Sequence, residues 1–385
     1  MRNKVITNHR DFKIYPIAAE SCGVRAFCFY FHSPDLKILL DPGCALGPFK
    51  KNRMPHPFEF QRQRKLTESI MRIAIDADML FISHYHHDHF KPNLRDDYYV
   101  YSNEKIFETI ARDKIILAKD PECNINYNQQ KRGQKYFRDC KRAGATILSP
   151  RSTNDIVNHR FEGRINFQHV KNRYTEIKRC LLGTICTGNT DILLPREFLH
   201  GLRPKKKIYL QPVIIRRKNT AFYFFPDVQG FPDEENLEML METRNNLQKN
   251  GVDQHLIAFG GPIPYIYRRR TDRASQIILA NSISHSCRVI KAFDISIIDH
   301  HILRDLNYLK YWRQFSYAAS ASDHIVRAVN TSLRFDNEKG QAGRTNAVME
   351  VNRTKLYKNN PSSHEFNIWA KRAQRKNTRS APPPK

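Results

Sequence analysis

The chain of 385 residues lacks several features that mark particular classes of protein. It has no continuous apolar run near the roughly 18 residues that a membrane helix needs, and its first residues carry no apolar central segment. We therefore expect neither a membrane span nor a secretory signal peptide. Its eight cysteines include no C-x-x-C pair and no framework spacing. This scatter predicts reduced thiols in a cytoplasmic protein rather than a disulfide scaffold.

Acidic residues are scarce relative to basic ones. The chain has 38 Asp and Glu against 64 Lys and Arg, which gives a formal net charge of +26. An excess of this size favours an anionic partner, although a solvated basic surface explains it equally well. Basic residues concentrate at 203–207, at 216–218, at 268–270 and in the tail beyond 351. We expect an anionic small molecule or nucleic acid as partner and no membrane, and the oligomeric state stays open.

Strand-like and helix-like segments alternate along a chain that is 40% hydrophobic. Short apolar and aromatic runs predict strands at 12–17, 25–32, 37–40, 79–83, 191–194, 208–217, 221–225, 255–259 and 294–298. Helical periodicity is found at 58–77, 129–143, 233–250 and 273–293, and beyond 307 the pattern is mostly helical. This interleaving predicts an α/β protein in which two sheets are covered by helices.

One segment stands out chemically, the sequence FISHYHHDH of residues 81–89, in which H-x-H-x-D-H follows a predicted strand. Neutral imidazoles and carboxylates are the usual ligands of Zn²⁺ and similar ions. On a loop that leaves a strand, His84 and His86 can point to one side. The next turn brings Asp88 and His89 towards a second point a few ångströms away. The segment therefore predicts two adjacent metal sites, each of which needs further ligands from elsewhere in the chain.

Candidate partners for this loop follow other apolar strands, which is where α/β folds build their sites. They are Asp41, His200, Asp227 and the adjacent pair His300 and His301. In isolation each would be an ordinary strand-end residue, but the histidine-rich loop makes ligation the stronger interpretation. The spacing alone leaves open which residue of the pair is a ligand.

In these motifs the chain resembles the metallo-β-lactamase superfamily of hydrolases, and within it a mainly archaeal family of metallo-β-lactamase-fold proteins. The resemblance is carried by AESCGVR at 19–25, LDPG at 40–43, ISHYH at 82–86, DVQG at 227–230, GGP at 260–262, DHH at 299–301 and RDLNY at 304–308. It implies a four-layer αββα sandwich, the metallo-β-lactamase fold, for a hydrolase domain at 1–345. A basic C-terminal helix and a disordered tail are expected at 346–385.

The resemblance also implies a ligand set. The implied ligands are His84, His86 and His200 for one ion, Asp88, His89 and His300 for the other, and Asp227 as the bridge between them. His300 is preferred to His301 because Arg304 follows it at the spacing seen in the RNA-processing branch of the superfamily. Asp41 would organise the metal loop. The expected cofactor is zinc, as two ions, with manganese or iron also able to use these donors.

Three functions follow as alternatives. The first is a metal-dependent hydrolase that activates water at a dinuclear site, with Asp88 and Asp227 as catalytic carboxylates and an anionic ester or phosphoester as substrate. The second is a nuclease acting on RNA or DNA, which the distributed basic residues favour. The third is a non-catalytic nucleic-acid-binding protein in which the metals only hold the loops. The complete ligand set favours an enzyme.

Overall fold

A computed structural model describes residues 7–8, 12–46, 57–97, 99–149, 159–161, 165–169, 180–201, 208–268, 270–305 and 308–329. The predicted C-terminal segment at 346–385 and the basic residues at 203–207 lie outside the described residues. Within the described ranges, no helix is long and apolar enough to cross a membrane. All eight cysteines are free thiols, as the absence of paired spacings predicted.

The described residues form eighteen strands and seven α-helices. The strands are β1 (Thr7–Asn8), β2 (Lys13–Ala19), β3 (Phe27–His32), β4 (Lys37–Leu40), β5 (Met79–Ile82), β6 (Ile115–Ala118), β7 (Thr146–Leu148), β8 (His159–Phe161), β9 (Ile165–His169), β10 (Leu181–Thr187), β11 (Thr190–Pro195), β12 (Phe198–Leu199), β13 (Tyr209–Leu210), β14 (Val213–Arg217), β15 (Thr220–Phe225), β16 (Gln254–Gly260), β17 (Ile295–Asp299) and β18 (Ile325–Arg327). The helices are α1 (Pro57–Asp76), α2 (Glu104–Ala111), α3 (Tyr127–Arg142), α4 (Glu234–Lys249), α5 (Pro264–Tyr267), α6 (Arg273–Ala292) and α7 (Tyr308–Ser320).

Strands β1 to β7 form the first sheet in chain order. Strands β1 to β4 pair antiparallel, whereas β4 to β7 pair parallel and are connected by α1, α2 and α3. These crossover helices pack on the outer face of the sheet. Both faces of the sheet are therefore covered, and Phe27, Cys28 and Phe29 of β3 are all fully buried. A strand covered on both faces appears in sequence as a continuous apolar run rather than an alternating one.

The second sheet repeats this plan. Its order is β18-β17-β16-β15-β14-β11-β10-β9-β8, with antiparallel pairing from β8 to β15 and parallel pairing from β15 to β18. Helices α4, α6 and α7 lie in its crossovers and contribute to the core on its outer face. Helix α4 begins after Asp233, whose side chain accepts a hydrogen bond from Asn236 N, and Gly251 follows its end with φ of 81°.

The two sheets face each other across an apolar core. Phe27 of the first sheet stacks on Phe224 of the second, with ring centroids 5.6 Å apart, and Phe29 lies 6.1 Å from Phe222. The order of layers is thus helices, sheet, sheet, helices. The predicted four-layer αββα sandwich is confirmed.

Two predicted segments differ from the structure. Residues 208–217 form two strands rather than one, because Pro212 lacks the N–H that a continuous ladder would use and the main-chain N–H of Gln211 donates instead to Ser83 O. Beyond 307, the helix α7 is followed by the strand β18, which the helical pattern did not predict. That strand has only three residues, and its parallel partner β17 is distant in sequence.

The topology brings several strand ends to one edge of the sandwich. Asp41 follows β4 and Ser83 follows β5, while Asp227 lies two residues after β15 and His300 directly after β17. At Asp41, Asp227 and His300 the backbone is left-handed, with φ of 44°, 53° and 69°. Such conformations in non-glycine residues concentrate at functional sites, where the surrounding structure holds them in place.

Candidate metal centre

The first cluster joins the metal loop, residues 84–89, to two distant segments. Ligand atoms of His84, His86, His200 and Asp227 all lie within 4.8 Å of one another. His84 Nε2 is 3.0 Å from His86 Nδ1 and 3.3 Å from Asp227 Oδ2. His200 Nε2 contacts the same carboxylate oxygen. The structure therefore brings together the residues that the sequence predicted around one ion.

The second cluster contains Asp88, His89 and His300. His300 Nε2 lies 3.7 Å from Asp88 Oδ2 and also 3.7 Å from Asp227 Oδ1. His89 Nε2 is 3.7 Å from the other oxygen of Asp227. Asp227 is buried between the two clusters. Its Oδ2 lies near the histidines of the first cluster and also 3.7 Å from His89, whereas its Oδ1 faces His300 and His301. The resemblance implied this residue as the bridge.

The adjacent histidines occupy different positions. His300 belongs to the group with Asp88 and His89, and both histidines form a further group with Asp227, in which His301 Nε2 lies 2.6 Å from Asp227 Oδ1. Both imidazoles are buried. The geometry is compatible with the preference for His300 as the second-cluster ligand. His301 contacts the carboxylate between the clusters, and the assignment of the ligand roles stays a prediction.

Asp41 holds the metal loop in place through hydrogen bonds. Its fully buried carboxylate accepts hydrogen bonds from Ser83 N at 2.7 Å, from Ser83 Oγ at 2.6 Å and from His89 Nδ1 at 2.7 Å. Ser83 Oγ lies 3.0 Å from His84 Nδ1. Because that hydroxyl donates its proton to Asp41, it accepts one from Nδ1 of His84, and the Nε2 of His84 keeps its lone pair towards the cluster.

A second buried carboxylate, Asp299, holds the His300 side of the site. It accepts hydrogen bonds from Ser21 N and Oγ at 3.1 and 2.6 Å, from His300 N at 2.7 Å and from Val329 N at 2.9 Å. Glu20, next to Ser21, places Oε1 3.6 Å from His300 Nδ1. No role was predicted for Asp299 from its sequence position, although its place at a strand end directly before a histidine was a usable signal.

Two glutamines contact the histidines of the first cluster. Neither was predicted to have a role, although Gln229 lies in the DVQG motif. Gln129 Nε2 is 3.1 Å from His86 Nε2, while its Oε1 accepts from Tyr85 N at 3.1 Å. Gln229 Nε2 is 3.4 Å from His200 Nδ1. Both side chains are buried. Each glutamine contacts the ring nitrogen that faces away from the cluster and so orients the imidazole, as residues next to metal ligands commonly do.

Burial and neighbouring charges shift the ionisation of the clustered groups. Burial, reinforced by His89, holds the pKa of His84 well below its usual value, so this imidazole is neutral. Burial alone would raise the pKa of Asp227, but His200 and His301 outweigh it and hold that pKa well below its usual range. Burial would lower the pKa of His89, but Asp41 and two further carboxylates raise it to about 9.

The donor set fits divalent metal ions. Each cluster combines histidine nitrogens with a carboxylate, the mixture that zinc, manganese and iron accept. His89 Nε2 is buried and makes no hydrogen bond, while its Nδ1 is fixed by Asp41. A buried imidazole held by a carboxylate on one nitrogen and open on the other has the arrangement of a metal ligand.

The basic residues at 216–218 do not lie beside the site. They lie at the end of β14 and in the turn that follows it, where Arg217 pairs with Thr220 of β15, at the strand end opposite Asp227. Arg217 also forms an ion pair with Asp35. The strand that contains Arg216 and Arg217 therefore carries these residues away from the ligand edge. Arg268 follows the Gly-Gly-Pro loop at that edge and lies 3.5 Å from Asp305.

Comparison with known proteins finds archaeal relatives and similar solved structures, whereas no family model matches the chain. The chain is 31% identical over 299 residues to a UPF0282 protein of Metallosphaera sedula, covering 77% of this chain and 79% of that protein. UPF0282 proteins of Korarchaeum cryptofilum and Saccharolobus solfataricus are each 28% identical, and cover 77% and 90% of this chain and 81% and 93% of theirs. Among solved structures, a Cronobacter sakazakii metallo-β-lactamase HARLDQ motif mutant S60 is similar, with 9% identity, a TM-score of 0.29, and coverage of 94% of this chain and 93% of that one.

Proposed function

The chain belongs to the UPF0282 family, and we propose that it is a metal-dependent hydrolase whose substrate is an anionic ester or phosphoester. One observation carries the proposal. Histidine and carboxylate side chains from separate strand ends converge in two adjoining clusters, each with its ligand atoms within 4.8 Å of one another, and Asp227 of the first cluster lies 3.7 Å from both His89 and His300 of the second. This convergence raises the free energy of the folded protein without metal, because polar groups and a carboxylate are buried together.

The first cluster would hold one ion through His84, His86 and His200, and the second cluster would hold another through Asp88, His89 and His300. When bound, divalent ions at such a site supply Lewis acidity and make a nucleophile available from water near neutral pH. Asp227 fixes the spacing between the clusters from its buried position. The side chain of Asp88 is 16% exposed, so its carboxylate reaches the open side of the site, where it would orient and deprotonate the attacking water.

The anionic substrate is supported by charge. The net charge of +26 favours the approach of anions. Close to the metal loop, the half-buried guanidinium of Arg132 contacts Tyr85 O at 3.4 Å. A guanidinium beside a pair of metal clusters suits a phosphoryl or carboxylate group better than a neutral lactam.

Metal analysis and turnover by matched variants test the proposal. We expect about two ions of zinc, manganese or iron per purified chain, and hydrolysis of bis(p-nitrophenyl) phosphate or a carboxylate-bearing ester in preference to a neutral lactam. Asp88→Ala should lower kcat by roughly 10²–10⁴-fold, the contribution of a positioned proton acceptor. Asp35→Ala, at the far end of the sandwich, is the control and should leave turnover unchanged.

Two results would contradict the proposed hydrolase. Fewer than one ion per chain, unchanged in a His84→Ala/His86→Ala double variant, would remove the basis of the proposal. Full metal content with no turnover of any ester in the panel would instead indicate that the ions only hold the loops.

A further inference from the structure

Helix α3 presents a strongly basic surface. Its sixteen residues include six Lys or Arg and a single acid, Asp139. The exposed residues of the helix are Tyr127, Asn128, Lys131, Lys135, Arg138, Lys141 and Arg142. Lys131, Lys135, Arg138 and Arg142 recur at intervals of four and three residues, which aligns them on one side of the helix. Together with Tyr127 they form the basic face of α3, which spans about 24 Å at 1.5 Å per residue.

The opposite side of α3 is attached to the metal loop. Gln129 lies 3.1 Å from His86 Nε2, and Arg132 donates to Tyr85 O at 3.4 Å. Gly133 packs so closely on Tyr85 that a Cβ there would lie 2.5 Å from the ring. The first two turns of α3 are therefore part of the wall of the metal centre. A ligand bound along the basic face would reach the site at the N-terminal end of the helix.

Nearby acids neutralise only part of this charge. Asp139 accepts from Lys135 at 2.5 Å and lies 4.0 Å from Arg142. Glu122, on the flank, accepts hydrogen bonds from two glutamines of α3 at 3.1 and 2.6 Å. One carboxylate cannot balance the six basic side chains of the helix, so a net positive surface remains.

An exposed aromatic ring lies at the end of the basic face nearest the metal centre. Tyr127 is 65% exposed, and Lys131 Nζ lies 4.3 Å from the centroid of its ring. Aromatic rings interleaved with cations bind single-stranded nucleic acid, because bases stack on the rings while phosphates pair with the cations. A lipid surface requires apolar side chains on the exposed side of a helix. The exposed residues of α3 include no aliphatic side chain.

We propose that the basic face of α3 binds single-stranded nucleic acid and leads it to the metal centre. The strand would then be the phosphodiester substrate, and in this respect the inference rests on the proposed function. Phosphates would contact Lys131, Lys135, Arg138 and Arg142, and a base would stack on Tyr127. Arg132, between this face and Tyr85, would receive the phosphate nearest the metal loop.

Fluorescence anisotropy with a labelled 20-nucleotide RNA, and with the matching DNA, tests the binding in the full chain. An Asp88→Ala background keeps the probe intact. The test variant is Lys131→Gln/Lys135→Gln/Arg138→Gln/Arg142→Gln, since glutamine preserves helix propensity. The matched control removes four exposed cations from the helices of the other sheet, Lys249→Gln/Lys291→Gln/Lys310→Gln/Arg313→Gln. Both proteins have the same net charge, and circular dichroism checks that both are folded.

We expect the α3 variant to bind on the order of 100-fold more weakly at 0.1 M salt, with a salt dependence reduced by about 0.7 in log–log slope per lost phosphate contact. The control should change affinity less than about three-fold. Tyr127→Leu should weaken binding about ten-fold without changing the salt slope, because it removes stacking and no charge. Equal losses in the two charge variants, absence of binding at 50 mM salt, or preferential binding to phosphatidylserine vesicles would overturn the proposal.

These measurements distinguish a failure of nucleic-acid binding on α3 from a failure of hydrolysis. An α3-dependent complex with RNA or DNA that the metal-loaded wild type does not cleave would support binding on α3 but overturn the assignment of the strand as substrate, and absence of small-ester turnover as well would count against the hydrolase. Turnover of small esters without any oligonucleotide binding would support the hydrolase and overturn the α3 surface.

Discussion

Two buried aspartates, Asp41 and Asp299, occupy equivalent positions in the two halves of the sandwich. Each lies at the end of a parallel strand, and each accepts hydrogen bonds from a serine and from a neighbouring candidate ligand, His89 or His300. Burial raises the pKa of both carboxyls, and the hydrogen bonds they accept oppose that rise. Their anchoring role follows from these bonds, since an ionised carboxylate offers only acceptors.

His255, far from the metal loop in sequence, provides a pH-dependent contribution to stability that is separate from metal binding. It is 1% exposed, its Nδ1 lies 2.9 Å from Tyr223 Oη, and burial, helped by Arg244, lowers its pKa to about 4. Between the unfolded pKa near 6.5 and pH 4, only the unfolded chain binds this proton. Stability is therefore complete above about pH 6.5 and falls as the pH drops towards 4.

His255→Asn tests this contribution, because the amide can still bond to Tyr223 but does not titrate. From pH 7.5 to pH 4.5, we expect the free energy of unfolding of the wild type to fall by about 2 kcal/mol more than that of the variant. Urea unfolding at several pH values measures the difference, and the metal ligands cancel because both proteins carry them. Parallel pH curves would contradict the prediction.

At the scale of elements, the loop after β4 and the metal loop are in direct main-chain contact. A Cβ at Gly43 would lie 2.2 Å from His89 N and 2.4 Å from the carbonyl carbon of Asp88. Backbone atoms in a buried loop cannot yield as a flexible side chain can. The absence of a side chain at residue 43 is therefore a condition for the position of two candidate ligands.

Gly43→Ala should destabilise the protein by about 3 kcal/mol, the upper range for overpacking, and should weaken zinc binding by displacing the metal loop. Gly251→Ala is the control. Its φ is 81° and no atom lies within 4 Å of the added carbon, so strain alone should cost about 1 kcal/mol and leave zinc affinity unchanged. Urea unfolding and zinc titration make the comparison, which fails if the two variants lose equally.

Elements with strong local signals were predictable from the sequence. Helix α4, with its capping Asp233 and terminal Gly251, was predicted within a residue or two of its observed bounds. The strand β10 was not predicted because its central residues, Gly183 and Thr184, are typical of a loop. Pairing with β11 and β9 holds this segment in the sheet. Short strands such as β18 form because they pair with a neighbouring strand, and the local sequence does not show which strand that is.

At the scale of the whole molecule, the site is shared between the two sheets. His84 and His86 follow the first sheet, whereas Asp227 and His300 follow the second. Ser21 of the first half bonds to Asp299 of the second across 278 positions of sequence. Metal ions bound at this edge would therefore connect both halves and stabilise the folded chain as a unit.

Removal of the metal tests this coupling. With zinc at about 1,000 times its dissociation constant, binding to the folded state alone adds about 4 kcal/mol per site. We expect the midpoint of thermal unfolding to fall by on the order of 10 °C when a chelator removes the metal. The His84→Ala/His86→Ala variant should show a much smaller difference. Equal midpoints for wild type with and without zinc would show that the ions do not join the halves.

The candidate ligands were predictable because histidines and aspartates at strand ends are visible in sequence. The supporting residues were less so. Gln129 and Gln229 contact His86 and His200 only through the folding of distant segments. The position of the basic residues at 216–218, at the far end of the sheet, was not predictable for a related reason. Sequence proximity to His200 says nothing about which end of a strand a side chain occupies.

The pairing of Asp299 with Ser21 sets an order of events during synthesis. The metal loop leaves the ribosome early, but Asp227 and His300 follow only after some 140 and 210 further residues. Until then the histidines of the loop would form an incomplete set of donors for the proposed ions. Tight metal binding would therefore require that the second sheet has been made and docked on the first, so metal would be loaded into chains whose folding is already nearly finished.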